Sequence, residues 1–141
     1  MVNPGKVEGM LRDLESTVDQ LRQIARVDRE TFLEDSILAG AAKYYLQTGI
    51  ETCINIGNHI IASEKYRAPK DYRDVFSVLN ENGILPDDMT KTLRLMAGLR
   101  NRLVHLYWDV DDEQIYTYLR ENLNDFVTFS QYVLEFVERQ Q

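Results

Sequence analysis

The stretch Asp35–Ser63, DSILAGAAKYYLQTGIETCINIGNHIIAS, decides the fold class. It contains no proline, and its apolar residues recur at helical spacing. These residues are Ile37, Leu38, Ala41, Tyr45, Ile50, Ile54 and Ile61. We therefore predict one long helix here. Gly40, Gly49 and Gly57 lie within it. Since a glycine costs a helix up to about 1 kcal/mol relative to alanine, close helix approach or bending should explain at least one of them.

Helical patterns continue on both sides of this stretch. Val7–Ala25 carries apolar residues at alternating steps of four and three, which is typical of an amphipathic helix. Asp71–Asn80 predicts a short helix that Asn82-Gly83 ends, and Pro86-Asp87-Asp88 opens the next one. A last helix carries Ile115 to Phe136. Because no stretch shows a strand pattern, we predict an all-α fold, an up-and-down bundle of about five helices forming one domain over residues 1–141.

Composition excludes several classes of protein. The chain has 141 residues, 44% of them hydrophobic and 28% charged, as in ordinary globular proteins. No apolar run approaches the roughly 18 residues of a membrane span, and no secretory stretch follows Met1–Lys6. Cys53 is the only cysteine, so no internal disulfide is expected and a cytoplasmic location is the simplest one. His59 and His105 are too far apart along the chain for a zinc pattern, so no metal is predicted.

The charge is unevenly distributed along the chain. The net charge of −7 argues against a protein that coats nucleic acid. However, Met89–Trp108 contains no acidic residue while it contains four basic ones: Lys91, Arg94, Arg100 and Arg102. A local positive island suits a small anionic target. It is equally typical of one basic helix face, and charge alone leaves both interpretations open.

The end of this basic region, Leu99–Trp108 (LRNRLVHLYW), has the side chains that metal-free phosphodiester chemistry needs. Arg100 offers a planar fork of donors that can hold a phosphate. His105 can move a proton near neutral pH. Asn101 and Tyr107 add an amide and a phenol within the same short segment.

Helical geometry constrains how this motif can act. At 100° per residue, Arg100 and Tyr107 lie within roughly 20° of each other, and Asn101 and His105 are neighbours. Arg100 and His105 are separated by roughly 140°, so a straight helix would not aim both at one small ligand. Either the helix frays near His105 or a second subunit supplies part of the site. Taken singly, Arg100 is typical of a surface cation, His105 of a helix C-terminal cap, and Tyr107 and Trp108 of core or interface aromatics.

The motif resembles that of a known family. Arg-Asn-x-x-x-His is the pattern of the HEPN superfamily, and Arg-x-x-x-x-His-x-Tyr resembles its HepT branch. The resemblance extends over about Tyr44–Tyr118. Its four blocks are Gln47–Ile61, Asp71–Phe76, Ala97–His105 and Val110-Asp111.

The resemblance implies a homodimeric, metal-independent endoribonuclease that needs no cofactor, with two motifs facing each other across the subunit boundary. It implies that Arg100 grips the scissile phosphate of RNA, that His105 is the general base or acid, and that Asn101 orients His105 or holds the backbone. HepT-like proteins are the toxins of pairs whose antitoxin is a minimal nucleotidyltransferase. Tyr107 matches the tyrosine that such a partner modifies with adenylyl groups, which silences the toxin.

Glu51 and Asn55 are the supporting polar residues that the resemblance implies on the long helix, with Asn55 standing where the family commonly has Asp. A buried polar patch satisfied by tyrosines is the alternative interpretation. His59 is more typical of a packing or capping histidine than of a second base. The alternative function is a non-catalytic HEPN module that binds a nucleotide or the nucleotidyltransferase partner. A plain helical scaffold would require the whole resemblance to be accidental.

Overall fold

The structure, a computed structural model that describes residues 1–141, is built from helices and contains no strand, as predicted. A 3₁₀ turn, Tyr107–Asp109, precedes the last two helices. The seven α-helices are α1 Pro4–Ala25, α2 Arg29–Glu34, α3 Ser36–Glu64, α4 Tyr72–Glu81, α5 Asp87–His105, α6 Asp112–Glu121 and α7 Asn124–Arg139.

The structure has seven helices where the sequence predicts about five. The short helix α2 is separated from α3 by Asp35, whose side chain accepts hydrogen bonds from the N–H groups of Ile37 and Leu38 and so caps α3. The last predicted helix is divided into α6 and α7, with Asn122 leaving helical geometry at φ −120° and ψ 0°. This break places Leu123 in the core and lets α6 and α7 both pack against α1.

The long helix α3 is the centre of the fold. It contacts all six other helices, most extensively α1, α4 and α5. The largest buried side chains include Phe76 and Phe129, whose rings meet edge to face with their centroids 6.0 Å apart. Cys53 lies in the same core, where burial raises the pKa of its thiol and keeps it neutral. None of the helices combines the length and the apolar character needed to span a bilayer.

Close helix packing explains Gly57, as expected for at least one glycine of α3. A Cβ atom at Gly57 would lie 2.5 Å from Val75 Cγ1 of α4, closer than packed carbon atoms allow. Gly40 differs, because the nearest atom to a Cβ there is the Tyr107 hydroxyl oxygen at 3.7 Å. The contact between α3 and α4, which fixes the position of the α4 N-terminus, therefore depends on Gly57.

We expect Gly57→Leu to destabilise the protein by roughly 1–3 kcal/mol, because the new side chain must separate α3 from α4. Urea unfolding followed by circular dichroism measures the change. The matched control is Gly40→Ala, which meets only ordinary van der Waals contact and gains up to about 1 kcal/mol of helix propensity. A Gly57→Leu protein as stable as the Gly40→Ala protein would contradict this account of the packing.

Candidate active site

Arg100 lies on α5 and turns inward to α3. Its Nη2 donates a hydrogen bond to Glu51 Oε2 at 2.9 Å, and its Nη1 donates to Asn101 Oδ1 at 3.2 Å. The other oxygen of Glu51 accepts from Gln47 Nε2 at 3.2 Å. The Arg100 side chain is 13% exposed, against 36% for Glu51. The polar face of α3 is therefore turned toward the motif at Glu51, as the resemblance implies.

Tyr72, at the start of α4, forms the other side of the Arg100 site. The guanidinium carbon of Arg100 lies 4.8 Å from the centroid of the Tyr72 ring, a cation–π distance. Arg100 Nε is buried and has no hydrogen-bond partner in the protein. Arginine has five N–H donors, and Nη1 and Nη2 each make one bond here, so each of these two nitrogens retains one N–H for an anionic oxygen.

His105 is the last residue of α5, and its side chain is exposed with no hydrogen bond to the protein. Asn101 lies one turn earlier on the same face, but its Oδ1 accepts from Arg100 and makes no hydrogen bond with His105. The role of Asn101, orienting His105 or holding the backbone of the motif, therefore stays a prediction. Since Arg100 and His105 both lie within α5, their separation of roughly 140° about the helix axis is retained.

Tyr107 lies outside α5, so the expectation that it shares a helical face with Arg100 is wrong. Helical geometry ends at His105, and Leu106 has φ −134° and ψ 44°. Tyr107 opens the 3₁₀ turn and packs against α3, where Lys43 Nζ is 4.5 Å from its ring centroid. The Tyr107 side chain faces α3 near Gly40. The residue as a whole is 47% exposed.

A known protein family matches most of this chain. The family model described as "Ribonuclease HepT-like" matches residues 14–133. The chain belongs to the HepT-like ribonuclease family. This HepT-like chain is 31% identical over 102 residues to the mRNA nuclease HepT of Shewanella oneidensis, covering 72% of this chain and 77% of the relative. It is 27% identical over 117 residues to the tRNA nuclease HepT of Aphanizomenon flos-aquae, covering 82% of this chain and 78% of the relative.

A solved structure resembles the HepT-like chain along most of its length. It is a tri-AMPylated HEPN toxin of Shewanella oneidensis in complex with an MNT antitoxin. The TM-score is 0.85 at 26% sequence identity, and the match covers 92% of this chain and 96% of the toxin. The family membership and the all-α HEPN-like fold that the sequence predicted are thus confirmed.

Lys43 is a feature of the HepT-like site that the sequence analysis did not include. Its side chain is 9% exposed, and its Nζ pairs with Asp112 Oδ1 of α6 at 2.8 Å. A signal was available, because Lys43 falls on the same face of α3 as the buried residues Ala39 and Leu46. A lysine at a buried position requires a charged partner. Tyr72 lies within the block Asp71–Phe76 of the family resemblance, but its contact with Arg100 is visible only in the structure.

The remaining candidate residues make no hydrogen bond to Arg100. Asn55 lies one turn after Glu51 on α3, is exposed and makes no side-chain hydrogen bond, so its supporting role stays a prediction. His59 Nε2 accepts from the Asn3 N–H at 3.4 Å, while partial burial and the Lys6 ammonium lower the pKa of His59. This matches the packing interpretation of His59. Trp108 is 80% exposed, so the core interpretation is wrong for it.

Proposed function

We propose that this HepT-like protein is a metal-independent endoribonuclease, the toxin of a toxin–antitoxin pair, held in check by a nucleotidyltransferase. The observation that carries the proposal is the Arg100 guanidinium, held between Glu51 and Tyr72 on the same helix as the exposed imidazole of His105. These two groups fit the cleavage of an RNA phosphodiester, because RNA supplies its own nucleophile in the ribose 2′-hydroxyl.

The proposed site is shared between two subunits of a homodimer. Within one chain, Arg100 turns toward α3 and His105 projects from the end of α5, and a two-fold axis would let Arg100 of one subunit meet His105 of the other. His105 of one subunit takes the proton from the 2′-hydroxyl or gives one to the leaving 5′-oxygen. Arg100 of the other stabilises the charge that develops on the phosphate oxygens.

Tyr107 is the proposed site of control. The solved toxin similar to this chain is AMPylated and bound to an MNT antitoxin, and we assign the corresponding modification here to the Tyr107 hydroxyl. Adenylyl groups would add negative charge two residues from His105 and beside Lys43. The modified toxin would therefore repel the RNA phosphates that the unmodified one binds.

A non-catalytic module remains the second candidate, because the pairing of Arg100 with Glu51 is also what a purely structural motif would show. Its ligand would be a nucleotide or the nucleotidyltransferase itself. The two functions predict different behaviour of His105, which makes no contact that a structural role requires.

We expect the purified protein to cleave RNA in the presence of EDTA and His105→Asn to lower the rate by roughly 10²–10⁴-fold, the usual contribution of a general acid or base. In cells, expression of the wild-type chain should arrest growth and co-expression of a partner nucleotidyltransferase should relieve the arrest. The matched control is Gln20→Ala, an exposed change on α1 that should leave cleavage intact. Equal cleavage by the His105→Asn protein would indicate a contaminating nuclease. If expression of the wild-type chain also caused no growth arrest, the non-catalytic module would be favoured.

A further inference from the structure

One face of α5 carries a row of residues that leads to His105. At 100° per residue, Lys91, Arg94, Gly98, Asn101 and His105 fall within an arc of about 80°. At 1.5 Å per residue, the row from Lys91 to His105 is roughly 21 Å long. Arg100, which turns to α3, lies outside this arc, so the row is a separate surface that reaches the candidate site at its His105 end.

A third cation joins the row from α4. Arg73 lies across Gly98, where a Cβ atom would be 2.6 Å from Arg73 Nη2 and 3.4 Å from its Cζ. Glycine at this position therefore lets a guanidinium rest on the backbone of α5. The neighbouring Tyr72 contacts Arg100, so the same turn of α4 contributes to both the site and the row.

Arg73, Lys91 and Arg94 line one cavity of about 450 Å³, which we call the cationic groove. None of the three forms a salt bridge, and Arg94 donates only to Ser77 Oγ at 2.7 Å. Asp87 is the one carboxylate in the lining, and its Oδ1 accepts from Asn80. A second concavity, lined by Arg22, Arg26 and Arg120 with Glu121, has a similar charge. The cationic groove differs from it in position, because it lies on the face of α5 that leads to His105.

We propose that the cationic groove binds the phosphates of the RNA strand whose scissile linkage lies at His105. This inference rests on the proposed function and extends it, since it assigns binding residues outside the motif. Lysine and arginine on one groove are the usual means of holding a nucleic-acid backbone without reading its sequence. Leu95 is the one apolar residue in the lining, whereas the core of a protein–protein interface is usually apolar, which makes the antitoxin a poorer match for this surface than RNA is.

The test is RNA binding by the triple variant Arg73→Gln, Lys91→Gln, Arg94→Gln. The probe is a single-stranded 2′-O-methyl oligonucleotide of roughly 12 nucleotides, which cannot be cleaved because its 2′-oxygen is blocked. We expect roughly 10–100-fold weaker binding near 0.1 M salt. We also expect the slope of log K against log salt to fall by about 2, since each phosphate contact contributes about 0.7.

The matched control removes the same charge elsewhere. Lys6→Gln, Arg22→Gln and Arg26→Gln lie at exposed positions of α1 and its C-terminal cap, and none of the three residues forms a salt bridge. This control should keep wild-type binding and its salt slope. A second variant, Lys91→Arg with Arg94→Lys, retains the charge of the groove and should bind the probe within a few-fold of wild type. Circular dichroism verifies that all variants keep their helix content.

Cleavage gives an independent readout. The loss in kcat/KM of the groove variant should be larger for a 12-nucleotide RNA than for a dinucleoside monophosphate, which is too short to reach along α5. An equal loss for both substrates would overturn the proposal, because it would indicate a disturbed active site.

Three further results are decisive. Equal binding by the groove variant and the α1 control would overturn the groove. The groove would also be overturned if the groove variant bound the probe normally but lost adenylylation at Tyr107, because that result would assign the surface to the antitoxin. Groove-dependent binding without RNA cleavage by any protein would support the groove while contradicting the nuclease, so the two proposals fail separately.

Discussion

Two inactive variants, Arg100→Ala and His105→Ala, should regain RNA cleavage when their subunits are exchanged. Each variant alone should lose roughly 10²–10⁴-fold in rate, the range for an essential general acid–base group and for electrostatic stabilisation of the transition state. In a mixed dimer, one of the two shared sites lacks both groups and the other has both. With random pairing, the mixture should therefore recover about one quarter of wild-type activity, since half of the dimers are mixed.

The reason for this recovery is the divergence of the two groups within one chain. Glu51 and Tyr72 hold Arg100 at 2.9 Å and 4.8 Å respectively on the α3 side, whereas His105 projects from the exposed end of α5. If the two groups served one phosphate within a single chain, both sites of a mixed dimer would also be inactive, since each subunit would lack one of the two groups. Mixing would then restore nothing.

The control for the exchange is a mixture of Arg100→Ala with the double variant Arg100→Ala, His105→Ala, which should stay inactive because no site contains both groups. Native mass spectrometry of differently tagged subunits measures the fraction of mixed dimers. Mixed dimers without activity would show that the site is not shared between subunits. A stable monomer in light scattering would contradict the homodimer itself.

Local signals in the sequence predicted most of the helices. Asp35 caps α3 through two backbone N–H groups, and Asn82-Gly83 ends the region of α4 with Gly83 at φ +77°. Such caps act within one turn of the chain and are visible in the residues themselves. The break at Asn122 is different, because no proline or glycine marks it. It accompanies the burial of Leu123 and the contacts of both α6 and α7 with α1, which join distant parts of the chain.

The candidate site likewise has features that the sequence predicted and features that only the structure shows. The family resemblance and helical spacing predicted that Glu51 faces the motif. In the structure, Glu51 Oε2 lies 2.9 Å from Arg100 Nη2. The position of Tyr107 could not be predicted in this way, since it depends on where α5 ends. The contacts of Tyr72 with Arg100 and of Lys43 with Asp112 join distant segments of the chain, so no local pattern specifies them.

Replacing Tyr107 by Phe should leave the toxin active and remove its silencing by the nucleotidyltransferase. The substitution deletes only the hydroxyl oxygen that accepts the adenylyl group. The contact with α3 should survive, because Lys43 Nζ lies over the ring at 4.5 Å and a phenylalanine ring also attracts a cation. Intact mass after co-expression should show no added AMP units on Tyr107→Phe, and growth arrest should persist.

The matched control is Tyr44→Phe, which removes a hydroxyl from another exposed tyrosine, 63% accessible, one residue after Lys43 on α3. This protein should be modified and silenced like the wild type. If Tyr107→Phe were still modified, peptide mapping would identify the true acceptor and the assignment to Tyr107 would be wrong.

The strength of silencing follows from where the added phosphates would lie. The Lys43 ammonium is already paired with Asp112 at 2.8 Å, so it cannot fully neutralise a chain of phosphates on Tyr107. The excess negative charge would lie two residues from His105, at the end of α5 where the RNA phosphate must enter. Modified protein should therefore bind a 2′-O-methyl oligonucleotide more weakly than unmodified protein, and the difference should shrink at high salt. Equal binding by both forms would mean that modification blocks the chemical step and not access of RNA.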